Sequence, residues 1–337
     1  MVNEIKSSPV ETCMVCGSKG KPLYRGLNDR LFGTSKNWNI STCSNDTCGL
    51  LWLNPMPVRE EIWKAYASYY THTKQQKSWF FFPKIEKAYQ HIKYGYYPEL
   101  KNTWIGYLAY LMPVFRNQYD FNVLFLKSTD KGRMLDFGCG NGWLMDNLTT
   151  KGWDCYGLDF DEKSVAYCTS NGLKVKVGDI ASQNYPDGYF DAITINHVIE
   201  HVYDVDVLIS DAFKVLKKGG SLIIATPNTA NWQHGVYKDQ WFQLDPPRHL
   251  HLFNNKNLET IVKRNGFSID KSFSSIRMDA WSTIVSRGVI RKGSYILGKD
   301  KKTKLDLIIG ICHQYISWVI QFFNNKKAGE IIIIAKK

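Results

Sequence analysis

Four cysteines near the N-terminus have the spacing of a metal site. Two residues separate Cys13 from Cys16, four residues separate Cys43 from Cys48, and a glycine follows each pair. Four thiolates match the tetrahedral ligand set of structural Zn²⁺ and leave no position open for water. The spacing therefore predicts one structural zinc ion. The alternative, two reduced pairs without metal, would leave a small segment with too little apolar mass to pack.

A glycine-rich turn follows a short apolar run in the middle of the chain. The sequence LDFGCGNG places Gly138, Gly140 and Gly142 just after Asp136. Glycines permit a sharp turn and let a ligand approach where a Cβ would collide. Nucleotide-binding folds of several chemistries use such a triplet, so the motif alone predicts a ligand of that kind without specifying a reaction.

Residues at the ends of the next two predicted strands make this prediction more specific. Asp159 ends the second strand, where a carboxylate can accept hydrogen bonds from both hydroxyls of an adenosine ribose. Asp179 and Ile180 follow the third strand, where an acid and an apolar side chain can hold an adenine. The spacing G-x-G-x-G also differs from the G-x-G-x-x-G of dinucleotide dehydrogenases, so a dehydrogenase is the weaker alternative.

Two histidine-bearing segments follow the fourth and fifth predicted strands. The first, NHVIEH, contains His197 and His201, and the second, PPRHLHLF, contains His249 and His251. Histidine is the side chain that most readily accepts a proton near neutral pH. We predict His249 as a general base and His197 as the second catalytic candidate. The alternative for each histidine is a structural role, and it is the favoured interpretation for His197, His201 and His251.

Alternating strands and helices must position these residues. Five strand-like runs near residues 134–137, 155–159, 174–177, 190–195 and 221–226 are separated by helical segments, and two further strands are predicted near 268–276 and 330–335. This alternation predicts an α/β fold with a doubly wound, mostly parallel seven-stranded sheet, Rossmann-like, with helices on both faces. Ligands of such sheets bind beyond the carboxyl ends of the strands, where the glycines, acids and histidines fall.

This ordered set of motifs resembles the class I S-adenosylmethionine-dependent methyltransferases over roughly residues 130–275. The resemblance implies that S-adenosylmethionine is the cofactor and that Asn196 and His197 lie beside its sulfonium group. The cofactor contacts that it implies are Asp136, Gly138, Gly140, Asp159, Phe160, Asp179, Ile180 and Asn196.

The cysteine module adds a narrower resemblance. The run CGLLWLNPMP, which begins at Cys48, matches the pattern C-G-L-x-x-x-x-P-x-P of methyltransferases with a four-cysteine module, which are associated with deoxysugar and cell-surface polysaccharide biosynthesis in bacteria. This likeness implies a sugar or sugar-linked acceptor, anionic if nucleotide- or phosphate-linked. Sugar C-methyltransferases of this kind carry Glu-His-Leu, with the histidine as base, where this chain has Arg248-His249-Leu250. The arginine favours O-methylation slightly and would suit a phosphate or carboxylate contact.

Changes in residue composition along the chain predict three parts. Residues 1–57 are a zinc-binding module, residues 58–130 an aromatic-rich helical segment that would serve as substrate site or lid, and residues 131–337 the cofactor domain with a helical insertion at about 279–325. Because the module has little core of its own, loss of the metal is expected to loosen residues 1–55 first.

Composition leaves other functions open. The 337 residues carry a formal charge of +12, which would suit nucleic acid, an anionic membrane face or a phosphorylated substrate. A nucleic-acid (RNA) methyltransferase is the first alternative, disfavoured because the lysines and arginines are spread out and the turn after the fourth strand lacks an Asn-Pro-Pro-Tyr-like motif. The second alternative is a non-catalytic cofactor-binding protein, which the intact glycine turn and Asp159 disfavour.

Two apolar stretches, residues 102–115 and 307–323, are too short or too polar to be predicted as membrane spans. They are predicted as buried or interfacial helices, with peripheral contact to a membrane surface as the minority interpretation. The N-terminus lacks the apolar core of a signal peptide, which predicts a cytoplasmic protein, with association to the inner membrane surface as the minority expectation. The sequence is silent on oligomeric state.

Overall fold

The computed structural model describes residues 5–34, 37–66 and 82–337. Numbered in chain order, its strands are β1 (Ser7–Ser8), β2 (Gly20–Leu27), β3 (Trp38–Cys43), β4 (Leu51–Leu53), β5 (Met56–Pro57), β6 (Arg133–Phe137), β7 (Asp154–Asp159), β8 (Lys174–Val177), β9 (Phe190–Asn196), β10 (Leu216–Pro227), β11 (His251–Leu252), β12 (Ser268–Ser275) and β13 (Glu330–Lys336). Its α-helices are α1 (Pro83–Tyr94), α2 (Pro113–Phe121), α3 (Trp143–Thr149), α4 (Glu162–Ser170), α5 (Val205–Val215), α6 (Trp232–Tyr237), α7 (Asn255–Arg264), α8 (Asp279–Lys292) and α9 (Lys304–Phe323).

A seven-stranded sheet forms the centre of the molecule, in the order β12-β13-β10-β9-β6-β7-β8. The neighbours from β10 to β8 pair in parallel, and β13 runs antiparallel between β10 and β12. The predicted doubly wound, mostly parallel sheet is therefore confirmed. Chain order reverses between β6 and β9, and the ends of these two strands carry the glycine turn and Asn196, which is where ligands of such sheets bind.

Helices cover both faces of the sheet because successive strand residues point to opposite sides. Ile193 and Ile195 of β9 pack with buried residues of α5 and α7 on one face. Ala192 of the same strand belongs to the cluster on the other face, which includes Met145 and Leu148 of α3. Leu258, Ile261 and Val262 form the buried apolar face of α7.

The cysteine module is joined to the large domain by backbone and core contacts. Its sheet has four strands in the order β11-β4-β3-β2, and β11 comes from the loop that carries the predicted base. Leu50 and Trp52 of the module lie in the same hydrophobic cluster as the β9 face that α5 covers. This shared core changes the expectation for metal loss, because a disturbance of residues 1–55 would reach the large domain.

Helical segments precede the large sheet. A 3-10 helix (Ile62–Tyr66), α1, a second 3-10 helix (Thr103–Leu111) and α2 follow one another in the described part of this region. The Thr103–Leu111 helix buries only Gly106 and Ala109, and leaves Trp104 and Leu111 exposed. Residues 67–81 of the predicted aromatic segment lie outside the described residues.

The predicted insertion consists of α8 and α9, which pack against each other between β12 and β13. Among the described residues, one helix, Lys304–Phe323, is long and apolar enough to cross a membrane by length and composition alone.

Candidate active site

The glycine turn connects β6 to α3 with three left-handed residues. Gly138, Gly140 and Gly142 have φ of 74°, 54° and 73°, which side chains with a Cβ rarely adopt. A Cβ at Gly138 would lie 2.2 Å from a methyl group of Val198, so this position requires glycine for packing as well. No atom lies within 4 Å of the Cβ position at Gly140. The turn is thus packed on one side and open on the other.

Asp159, at the end of β7, holds this turn in place. Its Oδ2 accepts a hydrogen bond from the Gly140 N–H at 2.8 Å, and its Oδ1 accepts one from the Asp161 N–H at 2.9 Å. A carboxylate has about four acceptor positions, so two remain for the hydroxyls of a ribose. Phe160 beside it is 64% exposed, and its ring meets the ring of Phe137 edge-on. Asp159 and Phe160 both face the open side of the site.

The two predicted adenine contacts, Asp179 and Ile180, differ in how far their side chains are exposed to a ligand. Asp179 is exposed, and its Oδ1 accepts a hydrogen bond from the Ser182 N–H at 2.9 Å. Ile180 is 2% exposed and belongs to the hydrophobic core. The apolar side chain that the sequence assigned to an adenine is thus used for packing, and the backbone of Ile180 is what remains for a ligand.

Asp136 lies beneath the turn. It is 4% exposed, and its Oδ1 accepts a hydrogen bond from the Thr194 hydroxyl at 2.7 Å. Burial raises the pKa of Asp136 to about 7. The side chain therefore ties β6 to β9 and positions the turn from below.

A cavity lies at the end of β9 beside the first turn of α3. Its volume is about 90 Å³, and its lining residues are Gln118, Phe121, Leu124, Trp143, Leu144, Asn196 and Arg277. The Oδ1 atom of Asn196 is buried without a hydrogen-bond partner. Buried polar atoms are normally paired, so this oxygen marks a place for a ligand. Together with the open side of Gly140, it shows that the predicted cofactor residues fit a nucleoside-bearing ligand at this edge of the sheet.

His197 is held between two buried carboxylates. Its Nε2 lies 2.6 Å from Glu330 Oε1, its Nδ1 lies 3.3 Å from Glu200 Oε1, and its backbone has the uncommon φ of 54°. Burial disfavours the charged ring, but the two carboxylates outweigh it and raise the pKa of His197 to about 9. The ring is a cation near neutral pH, so it is poorly suited to accept a proton and well suited to neutralise Glu200 and Glu330.

His249, in contrast to His197, has a neutral ring. Its Nδ1 lies 2.7 Å from the Gln243 carbonyl, which fixes the proton on that nitrogen and leaves the Nε2 lone pair free. Nε2 lies 4.0 Å from Glu200 Oε1 and 4.0 Å from Asp245 Oδ2. Burial lowers the pKa of His249 to about 4. A neutral ring with a free lone pair can accept a proton, and the carboxylates of Glu200 and Asp245 would offset part of the cost of burying the resulting cation.

Glu200 joins the histidines into one cluster, and sequence reasoning gave it no role. It is fully buried; Oε2 accepts a hydrogen bond from the Thr226 hydroxyl at 2.9 Å, whereas Oε1 has no hydrogen-bond partner. Burial favours the neutral acid, but contact with the His197 ring outweighs it and holds the pKa of Glu200 at about 2. A signal was present in the sequence, because this acid stands between two histidines in the motif NHVIEH.

The same cluster has the chemistry of a cation site. The Nδ1 of His201 lies 2.9 Å from the Arg248 carbonyl, so its Nε2 is also left as an acceptor. Ligand atoms of Glu200, His201 and His249 lie within 4.8 Å of one another. Two imidazoles and a carboxylate, with the second ring nitrogens hydrogen-bonded to carbonyls, are the ligand set of several divalent metal centres.

Arg248 does not reach the site, and its predicted contact with a phosphate or carboxylate of the substrate is wrong. The side chain is completely buried and forms ion pairs with Asp29 and Asp245. It also stacks on the ring of Phe32, 4.3 Å from the ring centroid. The guanidinium is thus used to join the N-terminal module to the His249 loop. The cation that does line the cavity is Arg277, which is paired with Glu330.

The four cysteines of the module come together as the spacing predicts. The sulfurs of Cys13 and Cys48 are 3.7 Å apart, those of Cys16 and Cys43 are 3.4 Å apart, and all four lie within 4.8 Å of one another. Sulfurs around a tetrahedral zinc ion are about 3.8 Å apart, given Zn–S bonds of about 2.3 Å. Gly17, with φ of 72°, and Gly49, with φ of 62°, make the turns that follow each pair.

Comparison with known proteins gives the family. The model of the methyltransferase domain family matches residues 115–272. A probable S-adenosylmethionine-dependent methyltransferase of Mycolicibacterium smegmatis is 30% identical over 139 residues, which are 41% of this chain and 52% of that protein. The ubiquinone biosynthesis O-methyltransferase of Pelagibacter ubique is 32% identical over 161 residues, which are 43% of this chain and 67% of that protein.

The chain therefore spans about half the length of the mycobacterial relative and two thirds of the second. Among solved structures, an S-adenosylmethionine-dependent methyltransferase from Mesorhizobium loti is similar with a TM-score of 0.45 and 17% identity, covering 66% of this chain and 98% of that one. With its sheet order, glycine turn and sequence relatives, the chain belongs to the S-adenosylmethionine-dependent methyltransferases and is an enzyme of the class I fold.

Proposed function

We propose that this enzyme transfers a methyl group to a hydroxyl oxygen of a small acceptor bound in the cavity beside Asn196, with His249 as the base. The observation that carries the proposal is the state of His249, a neutral ring whose Nδ1 is engaged with the Gln243 carbonyl and whose Nε2 is free. Glu200 links it to the cavity, because the carboxylate contacts both His249 and the residue that follows Asn196.

The cofactor is proposed to bind along the glycine turn. Gly138 and Gly140 provide the close approach, Asp159 the acceptors for the ribose, and Asn196 the unpartnered oxygen at the cavity end. Phe160, Asp179 and the backbone of Ile180 remain the proposed adenine contacts. S-Adenosylmethionine supplies, when bound, a methyl group on a positively charged sulfur, which an oxygen displaces in line.

The residues of the chain then have to accept the one proton that the acceptor loses. As the acceptor oxygen forms its bond to the methyl carbon, its proton passes to Nε2 of His249, and the resulting cation lies 4.0 Å from the carboxylates of Glu200 and Asp245. His197, already a cation, balances the charge of Glu200 and keeps that carboxylate in place. In this proposal His197 is thus a positioning residue, while His249 acts on the substrate.

The identity of the acceptor is proposed from two observations. Relatives whose names specify an O-methyltransferase, such as that of Pelagibacter ubique, support oxygen over carbon as the acceptor atom. Arg277 lines the cavity and supports an anionic acceptor. The sugar or sugar-linked acceptor remains our proposal from the sequence resemblance, and those names lend it no support. Acceptor panels should therefore contain nucleotide-linked sugars alongside acidic catechols and phenols.

We also propose that Cys13, Cys16, Cys43 and Cys48 hold one structural zinc ion. The separation of the sulfurs supports this, since it is close to that of a tetrahedral tetrathiolate site. Asn254 and Asn257 of the large domain both donate hydrogen bonds to the carbonyl of Cys48, so the site would also brace the start of α7.

The decisive experiment is the variant His249→Ala. A positioned base typically contributes about 100- to 10,000-fold, so turnover should fall by such a factor while the affinity for S-adenosylmethionine stays the same. His251→Gln is the matched control, because His251 is equally buried and two residues away but bonds only to the Val202 carbonyl. Unchanged turnover in His249→Ala, or an equal loss in both variants, would refute the assignment.

A divalent cation on Glu200, His201 and His249 is the second candidate, favoured by the unpartnered Oε1 of Glu200. A bound cation would activate the acceptor oxygen directly and make His249 a ligand. Enzyme treated with a chelator and still containing its module zinc separates the two accounts. Full turnover would support the base, whereas turnover lost and restored by added Mn²⁺ or Mg²⁺ would support the cation.

A further inference from the structure

The helix α9 buries its polar face and exposes its apolar face, which is the reverse of the usual arrangement in a soluble protein. Its buried residues are Asp306, Gly310, Gln314 and Ser317, which are spaced three or four apart and therefore share one face. All four are polar or small. A surface helix of a globular protein usually buries its apolar face, so this arrangement calls for an explanation.

The polar face is firmly bound to the protein. Asp306 accepts hydrogen bonds from Arg287 at 3.0 Å and from Arg291 at 2.7 Å. Gln314 donates to the Ile276 carbonyl at 2.9 Å. A Cβ at Gly310 would lie 2.8 Å from the Ala280 carbonyl of α8, so the two helices are in close backbone contact. These contacts fix which face of α9 points outward, and a helix crossing a bilayer would have to break them.

The outward face is a continuous apolar stripe. Phe322 is 72% exposed and Phe323 is 88% exposed. The members of the stripe are Leu305, Ile308, Ile311, Tyr315, Ile316, Val319, Phe322 and Phe323. Single exposed apolar residues are common, but a contiguous row along a helix of about 30 Å marks an interaction surface.

The charges around the stripe identify its partner. Lys301, Lys302 and Lys304 precede or open the helix, and Lys327 follows it, next to Lys326, which is paired with Glu259. The only acid between Lys301 and Lys327 is Asp306, which is buried and paired. An apolar stripe with cations at both ends is the pattern of helices that lie in the interface of anionic membranes. A second copy on this stripe would bring lysines against lysines.

We propose that the outward face of α9 docks this enzyme on the surface of an anionic phospholipid membrane, with the helix parallel to the bilayer. The proposal is independent of the acceptor. Gln314 also donates to the Arg277 carbonyl at 3.3 Å, and the side chain of Arg277 lines the cavity. Gln314 is on the buried face of α9, so the cavity would lie on the protein side of the docked helix.

Vesicle flotation with the full-length protein tests this proposal. The protein should float with vesicles of phosphatidylcholine and phosphatidylglycerol and should bind pure phosphatidylcholine much more weakly. Phe322→Ser combined with Phe323→Ser should weaken binding about tenfold or more, since both rings lie on the outward face. Lys301→Glu combined with Lys302→Glu should weaken binding to the anionic vesicles by a similar factor and leave the weak neutral binding unchanged.

Val207→Ser combined with Val236→Ser is the matched control, because these side chains are 57% and 55% exposed and lie outside α9. The control should float like the wild type, and all variants should keep the wild-type melting temperature. Equal floating of the phenylalanine variant and the wild type would overturn the proposal. So would a concentration-dependent dimer in sedimentation that the phenylalanine variant abolishes while no vesicle binding is seen, because the stripe would then be a contact between copies.

Discussion

Replacing Arg248 by methionine tests whether a buried ion cluster joins the cysteine module to the loop of the proposed base. The side chains of Arg248 and Asp29 are both 0% exposed, and that of Asp245 is 10% exposed. Nη1 and Nη2 of the arginine donate to the two oxygens of Asp29 at 2.9 and 2.7 Å, and Nε donates to Asp245 at 3.0 Å. The variant removes the counter-charge of two carboxylates and leaves both in place.

The expected loss of stability follows from this geometry. Breaking a buried pair by removing one partner typically costs about 3–5 kcal/mol, so the free energy of unfolding should fall by that amount at pH 8. Burial raises the pKa of Asp29, but Arg248 outweighs it and the net pKa is lowered. Without the arginine, burial of Asp29 is opposed mainly by the backbone N–H groups of Phe32 and Thr34, and the carboxylates take up protons more readily. The loss in Arg248→Met should therefore be smaller at pH 5 than at pH 8.

Urea unfolding followed by circular dichroism measures the loss. Adding Asp29→Asn and Asp245→Asn to the arginine variant should restore at least about 2 kcal/mol, because the uncompensated charges are then gone. Lys174→Met is the matched surface control; it removes one exposed partner of Asp154 and should cost at most about 1 kcal/mol. A loss below 1 kcal/mol in Arg248→Met, or a triple variant as unstable as the single one, would refute the cluster as a structural link.

Three further predictions concern the cofactor, the metal and pH. Asp159→Ala should weaken S-adenosylmethionine binding about ten- to a hundredfold in isothermal titration, from the loss of charged hydrogen bonds of about 1.5–3 kcal/mol, and unchanged affinity would contradict the ribose assignment. Elemental analysis should find one zinc ion per wild-type chain, and Cys13→Ser should lose it and lower both the melting temperature and turnover, because the module shares its core with the large domain; loss of residues 1–55 alone to protease, with turnover intact, would contradict this. The raised pKa of His197, about 9, means that the stability from its two carboxylate contacts is fully present below about pH 6.5 and disappears as the pH rises through about 9. The free energy of unfolding should fall by about 1–3 kcal/mol across that window, allowing for a side chain that is 27% exposed, and His197→Gln should flatten the dependence.

Local patterns were sufficient for much of the fold. The strands from β6 to β9 lie within one or two residues of their predicted positions, because alternation of strand and helix and the turn-forming glycines are encoded over short distances. The start of β10 differs, since the sequence predicts a strand near 221–226 whereas β10 begins at Leu216, directly after α5 ends at Val215. Pairing with β9 decides that boundary, and pairing is not a local property.

Those parts of the candidate site were predictable whose relative positions are set by the spacing of residues along the chain. The glycine turn, Asp159 and the four cysteines are positioned by their spacing, and the structure places them as expected. The roles of the histidines were not predictable, because an imidazole is acid, base or ligand according to what faces its two nitrogens. His197 meets two carboxylates and becomes a cation, while His249 meets a carbonyl and stays neutral.

By itself, the sequence determined the alternation of strands and helices, the order of the glycine and acid motifs and the pairing of the four cysteines in the module, since each depends on neighbours along the chain. Only the tertiary structure decided the partners of Arg248, the position of Glu200 between His197 and His249, and the face of α9 that is buried. Arg248 pairs with a carboxylate 219 residues away. Whether a polar group is exposed, paired or left without a partner depends on such distant contacts, and a buried polar group without a partner is energetically costly. The linear sequence does not show which segments will meet, so it does not show which partner each group will find.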